Sequence, residues 1–470
     1  MLPGIAKILL VGLLSASVIW ALILGWWQAN DHQPTTGEIA LYLAALPVSL
    51  LVGFWLLRTF IDQLRKHPAD GADLSRATFP AASSPAHAAT AEAERMWLAS
   101  LIGGTLISAA GADAADLIAA AMEGGTPSPD KELRDSDGFP VFVARVSDLD
   151  MECIREDLRE HGDGIASQSL PPEMLRALAL IGKALPAALE TLHEVCAHPG
   201  KQNQTRVIWL TPDWPKAFSG ELTGWLQRTY LDGFGISSPN IELRPVHDDG
   251  QVFEIIDEII VALNRTASAQ IVLLFGAVSH LGEATLEHWR LQERLFSATE
   301  QDGQVPGEAA VALVLARPGT TLVADAPPAV HLTRSALGKR EKSADARGRV
   351  SGTLINDLVD TLVTNTKLDP AKIAAVISDT DHRNSRVNEI LTPVTERFPN
   401  LEPLRDTLAL GASTGTVTPI GGLLALLCAA EVARNSSGAG LCVTNQHAFA
   451  RASMLALAVP EPASPKTGNA

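Results

Sequence analysis

Apolar positions are unevenly distributed along the 470 residues. Two stretches, Ile5 to Trp27 and Ile39 to Phe60, are apolar almost throughout, broken by Lys7 in the first and Arg58 near the end of the second. Each is long enough to cross a hydrocarbon core of ~30 Å, which takes ~20 helical residues. Both are read as membrane-spanning helices, with Pro47 kinking the second. The segment between them, Gln28 to Gly37, carries Asp31 but no Lys or Arg, whereas Lys7, Arg58, Arg65 and Lys66 lie at the opposite ends. The positive-inside bias then puts both termini in the cytoplasm, with only the short turn outside. A second span following at once argues against a cleaved signal peptide.

Beyond this hairpin, assigned to residues 1–66, the segment 67–93 turns to Ala, Ser, Pro and Thr, the composition of a flexible linker. The last residues, 460–470, are polar and Pro-rich and read as a disordered tail. Between them, residues 94–459 alternate two kinds of pattern. Short apolar runs rich in β-branched residues, Val141–Val146, Thr205–Leu210, Gln270–Phe275, Ala309–Leu315, Ile373–Ser378 and Gly440–Thr444, predict buried strands. Helical patterns cover Glu173–Ala197, Phe253–Asn264, Thr353–Lys367 and Ile420–Arg434. The alternation predicts an α/β domain with helices covering its sheets.

Charge and cysteine content narrow the function classes. A formal net charge of −16 with no long Lys/Arg run excludes a nucleic-acid partner, since phosphate binding needs a basic face. Cys153, Cys196, Cys428 and Cys442 lack CxxC or CxxH spacing, so neither a zinc site nor a disulfide framework is expected. Reduced, buried thiols fit a cytoplasmic domain. No cofactor is implied.

The most specific local segment is Gln301-Asp302-Gly303-Gln304-Val305-Pro306-Gly307-Glu308-Ala309-Ala310, leading into the strand Val311 to Leu315. It resembles the segment of β-ketoacyl synthases in which an Asp-Gly turn runs through Gly-Glu-Gly-Ala into a strand. Neighbouring pieces fall in the order of that family: Gly138-Phe139-Pro140-Val141, the Leu175–Leu192 helix, Arg206–Leu210, Ile255–Asn264, Ala269–Gly276, Asp369–Ser378, Gly411–Gly422, and Cys442-Val443-Thr444-Asn445 with Phe449–Leu457. The resemblance implies a thiolase-like, duplicated, layered α/β domain preceded by the two-helix transmembrane hairpin, with halves at about 94–330 and 331–459. It also implies self-association, a homodimer paired through a sheet edge.

The family's chemistry does not carry over. A ketosynthase needs a nucleophilic Cys at a helix N-terminus, where the dipole lowers the thiol pKa. The matching stretch is His247-Asp248-Asp249-Gly250, and no Cys lies between Cys196 and Cys428. Asp248 and Asp249 have acyl-accepting oxygens, but a carboxylate at a helix start is first an N-cap. In the His-Gly-Thr loop Ser378 replaces the first His, within Ser378-Asp379-Thr380-Asp381-His382-Arg383, and Glu389 keeps the family's Glu position. In the later loop Gly415 matches, while Gly411 and Thr416 replace the Lys and His. Losing nucleophile, imidazoles and Lys together removes acyl transfer and carbanion stabilisation. His247, Asp248, Asp249, Ser378, Asp379, Asp381 and Thr416 are therefore remnant-pocket candidates, with no catalytic residue expected.

Other clusters read as bland. Asp379, Asp381 and His382 offer carboxylates and an imidazole, yet no further ligand follows by spacing. His193, Cys196 and His198 end a helix, but Cys196 and His198 are two apart and do not share a helical face. The Ser413–Thr416 loop lacks a P-loop Lys. Trp209, Trp225 and Trp289 read as core, and Trp214, between Pro212 and Pro215, is the partner-binding candidate. The reading is a non-catalytic adaptor or chaperone that is multi-pass in the bacterial inner membrane, attached through Ile5–Trp27 and Ile39–Phe60, and that holds a protein client in the cytoplasm. Its layout resembles adaptor proteins that load lipase effectors onto the type VI secretion spike, which implies an effector client and the spike protein as second partner. The alternatives are an acyl- or lipid-metabolism enzyme with a non-Cys mechanism at His247, Asp248 or Asp379, and an acyl-ligand sensor.

Overall fold

The computed structural model describes residues 92–459 except 136–137, 162–169, 196–204, 216–217, 237–240, 267–269 and 321–327. The hairpin and tail expectations, and nearly all of the linker, concern residues outside this set. Among the described residues no helix is long and apolar enough to cross a membrane. This corrects the multi-pass inner-membrane localisation expected above: the longest helix described, Pro172–Val195, is a core helix of the α/β domain.

The first part of the chain forms β1 (Ala99–Ser108), α1 (Ala114–Met122), β2 (Ser128–Arg134), β3 (Pro140–Val143), α2 (Met151–His161) and α3 (Pro172–Val195). It continues through β4 (Thr205–Thr211), α4 (Ser219–Leu226), β5 (Ile241–Pro245), α5 (Asp249–Arg265), β6 (Ile271–Ser279), α6 (Glu283–Leu291) and β7 (Glu308–Ala316). After β8 (Val330–Leu332) come β9 (Ala336–Lys339), α7 (Thr353–Thr366), β10 (Ile373–Ser378), α8 (Asn384–Arg397) and β11 (Thr407–Ala409). The chain closes with α9 (Gly411–Thr414), α10 (Gly421–Ser436), β12 (Ala439–Thr444) and β13 (Ala450–Ala458).

The strands run in the order β5-β4-β6-β7-β1 and again β11-β10-β12-β13-β9. In both sets the first two pairings are parallel and the next two antiparallel. Helix α5 occupies the same place in the first set, between β5 and β6, as α10 does in the second, between β11 and β12. One topology is therefore used twice. The three-residue β8 pairs with β1 on one side and β13 on the other, joining both sets into one 11-stranded sheet.

Strand alternation sorts side chains into layers. In β6, Ile271, Leu273, Phe275 and Ala277 join the core around α3, while Val272, Leu274 and Val278 join the core around α5 and α10. In the second set Ala375, Ile377, Cys442, Met454 and Ala456 face the same central core, and Val376, Leu441, Val443 and Leu455 face α7 and α8. Helix α5 supplies Val252, Phe253, Ile256, Ile259, Ile260 and Leu263 at helical spacing, and α10 is buried along almost its whole length. The central layer is thus two helices sandwiched between the two sets of strands.

The expected strand over Val141–Val146 is only partly realised. Residues 140–143 form β3 in a separate two-stranded sheet with β2, packed through Leu133, Val141 and Val143 on Leu286 and Trp289 of α6. Phe142 faces outward, which is why only alternate residues are buried.

Glycine sets how closely the central helices approach the sheet. A Cβ on Gly440 of β12 would lie 2.1 Å from the Ala429 carbonyl oxygen of α10, a backbone atom that cannot swing aside. Gly440→Ala is expected to cost on the order of 1–3 kcal/mol, the usual penalty for overpacking. Chemical denaturation of the variant beside wild type checks this, and an unchanged midpoint would refute the close approach.

Candidate functional site

The N-terminus of α5 begins at the stretch matched to the ketosynthase nucleophile. Asp248 is its N-cap, in extended conformation, accepting the Gln251 backbone N–H at 3.0 Å. Gln251 reciprocates, its Oε1 accepting the His247 N–H at 2.9 Å, a variant of the capping box. His247 is exposed. Asp249 differs: it is 1% exposed, and its Oδ1 accepts the backbone N–H of Gly422 in the first turn of α10 at 2.6 Å. One carboxylate therefore caps the second central helix from the first residue of its counterpart.

The C-terminal end of β10 meets the same place. Asp379 Oδ1 accepts the backbone N–H groups of Asn445 (2.6 Å) and Gln446 (3.2 Å), fixing the loop after β12. Ser378 and Thr380 share a 2.6 Å hydroxyl contact, and Thr380 donates to Asn445 Oδ1 at 2.7 Å. Thr416 is buried, with its backbone N–H on the Val305 carbonyl at 2.7 Å. A Cβ placed on Gly421 would lie 3.4 Å from Asp379 Cβ and 3.8 Å from Asp249 Oδ1, which puts the two carboxyl groups side by side across the α10 N-terminus. Asp249 Oδ2, Asp379 Oδ2 and Thr416 Oγ1 have no hydrogen-bond partner among the described residues.

This pairing sets protonation. Burial, then the Asp379 charge, raises Asp249 well above the ordinary carboxylate range against the Gly422 hydrogen bond. Burial raises Asp379 to about 6, opposed by the Asn445 and Gln446 N–H groups and by Arg451. The pair keeps a proton that free aspartates would release.

Asp381 and His382 leave this centre. Asp381 is bound to Arg383 at 2.8 Å, and His382 Nε2 lies 3.2 Å from the Gln301 carbonyl with its ring edge-on to Phe296. Among the described residues no cluster of three or more His, Cys, Asp or Glu groups is placed to hold a metal ion. Trp209 and Trp225 are buried, and Trp214 is half-buried edge-on against Trp209 at 5.9 Å. Cys196 and His198 lie outside the described residues.

Sequence reasoning missed the buried arginines. Arg451, wholly buried, takes both oxygens of Glu389 at 3.0 and 2.8 Å, and Arg340 adds a third contact at 2.5 Å. Arg386, also wholly buried, reaches Asp345 Oδ1 at 2.6 Å and the Gln446 carbonyl at 3.1 Å. The one signal in the sequence was Arg451 itself, a lone charge inside the apolar run Ala450–Ala458, which in a strand demands a buried partner. Glu308, in the segment that carried the resemblance, is similarly employed. It accepts from Arg176 (2.5 and 2.7 Å), Ser279 Oγ (2.8 Å) and the Val146 N–H (2.8 Å), tying α3, β6 and the loop after β3 to β7.

The three thiols among the described residues are electronically quiet. Cys442 is buried, its Sγ 3.6 Å from the Gly422 carbonyl, and burial with the nearby Asp379 and Asp249 charges pushes its pKa far up. Burial does the same to Cys428, while the Asp157 charge chiefly raises exposed Cys153. None has the electropositive surroundings that make a thiolate.

Solved structures that resemble this arrangement of strands and helices include ketosynthases. The ishigamide ketosynthase/chain length factor is 14% identical, covering 77% of this chain and 100% of its own, with a TM-score of 0.53. A ketosynthase from module 6 of the bacillaene synthase of Bacillus subtilis 168 is 12% identical, covering 78% of this chain and 73% of its own, with a TM-score of 0.51. The protein thus has a ketosynthase-like, thiolase-type fold. No family model matches the sequence, and no curated protein is significantly similar to it.

Because Asp249 and Asp379 bind protons more tightly folded than unfolded, their contribution to stability is fully present below pH 3.8 and lost as pH rises, through about 6 for Asp379. For Asp379 alone the loss is on the order of 3 kcal/mol. Asp249→Asn keeps an acceptor for Gly422 and removes one charge, so its melting temperature should exceed that of wild type at pH 8 and match it near pH 4. Thermal melts across that range check this, and a variant less stable than wild type at pH 8 would sink the shared-proton reading. Separately, Glu389→Ala strands Arg451 and should cost about 3–5 kcal/mol in denaturant unfolding.

Proposed function

We propose that this protein is a non-catalytic adaptor or chaperone that binds a protein client, with a secreted lipase effector as client and the type VI secretion spike protein as second partner. The observation that carries the non-catalytic reading is the occupancy of the reacting positions. Asp249 caps α10, Asp379 holds the Asn445–Gln446 turn and Asp381 is consumed by Arg383, each through hydrogen bonds internal to the chain. Each group is committed to holding the fold, and the three described thiols have raised pKa values. Function belongs to the site rather than the fold.

Two experiments test this. The purified full-length chain, incubated with a panel of acyl thioesters, is expected to give no turnover above buffer; turnover abolished by Asp249→Asn would replace the adaptor with an enzyme. An affinity-tagged chain recovered from its native cells is expected to bring down one stoichiometric protein partner carrying a lipase fold. Recovery of no protein, or of acyl carrier protein alone, would overturn the client-binding reading.

A further inference from the structure

On the face formed by the 292–304 loop, the 344–350 loop and α8 lies an open cleft of about 1190 Å³. Neither Asp249 nor Asp379 lines it, so it is separate from the centre described above. Its volume exceeds the roughly 300–1,000 Å³ of ordinary small-molecule pockets, and its lining residues are mostly polar. A small apolar ligand does not fit that description. A polar chain does.

The two walls carry opposite signs. Glu293, Glu300 and Asp302 outnumber Arg294 on one, and Arg347, Arg349 and Arg383 outnumber Asp345 and Glu396 on the other. On that second wall, Arg347 and Arg349 flank Gly348, whose φ of +118° makes the tight turn that a side-chain-bearing residue would resist. Both arginines are exposed, and neither has a carboxylate partner among the described residues. In a chain of net charge −16, two unneutralised guanidinium groups side by side are a local departure.

The floor of the same wall contains a seat for one carboxylate, and the chain fills it itself. Asp345 Oδ1 accepts from Arg383 Nη1 at 2.9 Å and from Arg386 Nη2 at 2.6 Å. The two arginine side chains are 4% and 0% exposed, whereas Asp345 is 47% exposed and borders the cleft. A solvent-reachable carboxylate on two buried, preorganised guanidinium groups is replaceable by another carboxylate of better fit.

We propose that the cleft binds an extended acidic polypeptide segment, whose carboxylates pair with Arg347 and Arg349 and whose innermost carboxylate takes the place of Asp345 on Arg383 and Arg386. In an extended strand alternate side chains share one face, so carboxylates at every second residue would all meet the basic wall, leaving the other face to the acidic wall as uncharged groups. The segment extends the client-binding reading and depends on it only for the identity of the occupant.

The test uses the full chain and a fluorescent peptide of alternating Glu and Ser, read by anisotropy at low ionic strength, with an alternating Lys and Ser peptide and inorganic phosphate as comparators. Binding of the Glu peptide is expected, weakened about tenfold by Arg347→Gln with Arg349→Gln, since two exposed charge contacts are lost. Asp345→Asn is expected to tighten it severalfold by vacating the seat. Circular dichroism confirms that each variant is folded, and should Asp345→Asn fail to fold, the exposed arginine pair decides alone. No binding of the Glu peptide, binding indifferent to the arginine pair, tighter binding of the Lys peptide, or binding of phosphate without the peptide would each overturn the proposal. A cleft that binds the peptide in a chain recovering no client from cells would retain this site and discard the adaptor reading.

Discussion

Two helix N-termini converge on the buried Asp249, and each presents unsatisfied N–H groups and about half a positive charge. Left alone, that arrangement would be repulsive. The Asp249 carboxylate resolves it by belonging to the first turn of α5 while bonding to Gly422 in the first turn of α10. Everything central depends on this contact, because the two helices form the layer on which both sets of strands pack. The ends of β10 and β12 then meet the same point through Asp379 and the Asn445–Gln446 turn.

Around this contact the interior is unusually rich in charge. Arg176 with Glu308, Arg451 with Glu389, and Arg383 with Asp381 are all buried pairs. Such pairs add little net stability over apolar packing, but removing one partner of any of them is strongly destabilising. Their locations are informative: Arg176 of α3 is tied to Glu308 at the start of β7, Glu389 of α8 to Arg451 near the start of β13, and Arg383 to Asp381 within the loop after β10. A carboxylate accepting three or four directed bonds, as Glu308 does, fixes the angle of a loop in a way that a Leu of similar size would not.

The regular elements were legible because their periodicity is governed by burial. Five of the six apolar runs became strands of the large sheet, and the four helical patterns became α3, α5, α7 and α10. β1 escaped notice because Gly103 and Gly104 interrupt its apolar run. Those glycines exist because Thr191 of α3 and Leu427 of α10 press on either side of the strand, a tertiary demand with no local signature. The site was legible in part. The N-cap role of Asp248 was readable from position alone, but Asp249, one residue on, faces the interior because of helix phase and the placement of α10. Nothing local tells these two aspartates apart. The arginine partners were hidden for the same reason, since Arg340, Arg386 and Arg451 come from three distant segments.

β8 is only three residues long, yet it hydrogen-bonds to both β1 and β13. Through it the two sets of strands share one uninterrupted ladder, with the Gly307–Thr416 hydrogen bond as a second clasp. Domain-scale opening about a hinge between the repeats would require breaking backbone hydrogen bonds in buried strands, which sets a barrier closer to unfolding than to breathing. Molecules that engage this body therefore meet a preformed relief, and the entropic cost of association falls on the loops and on the incoming molecule rather than on the scaffold.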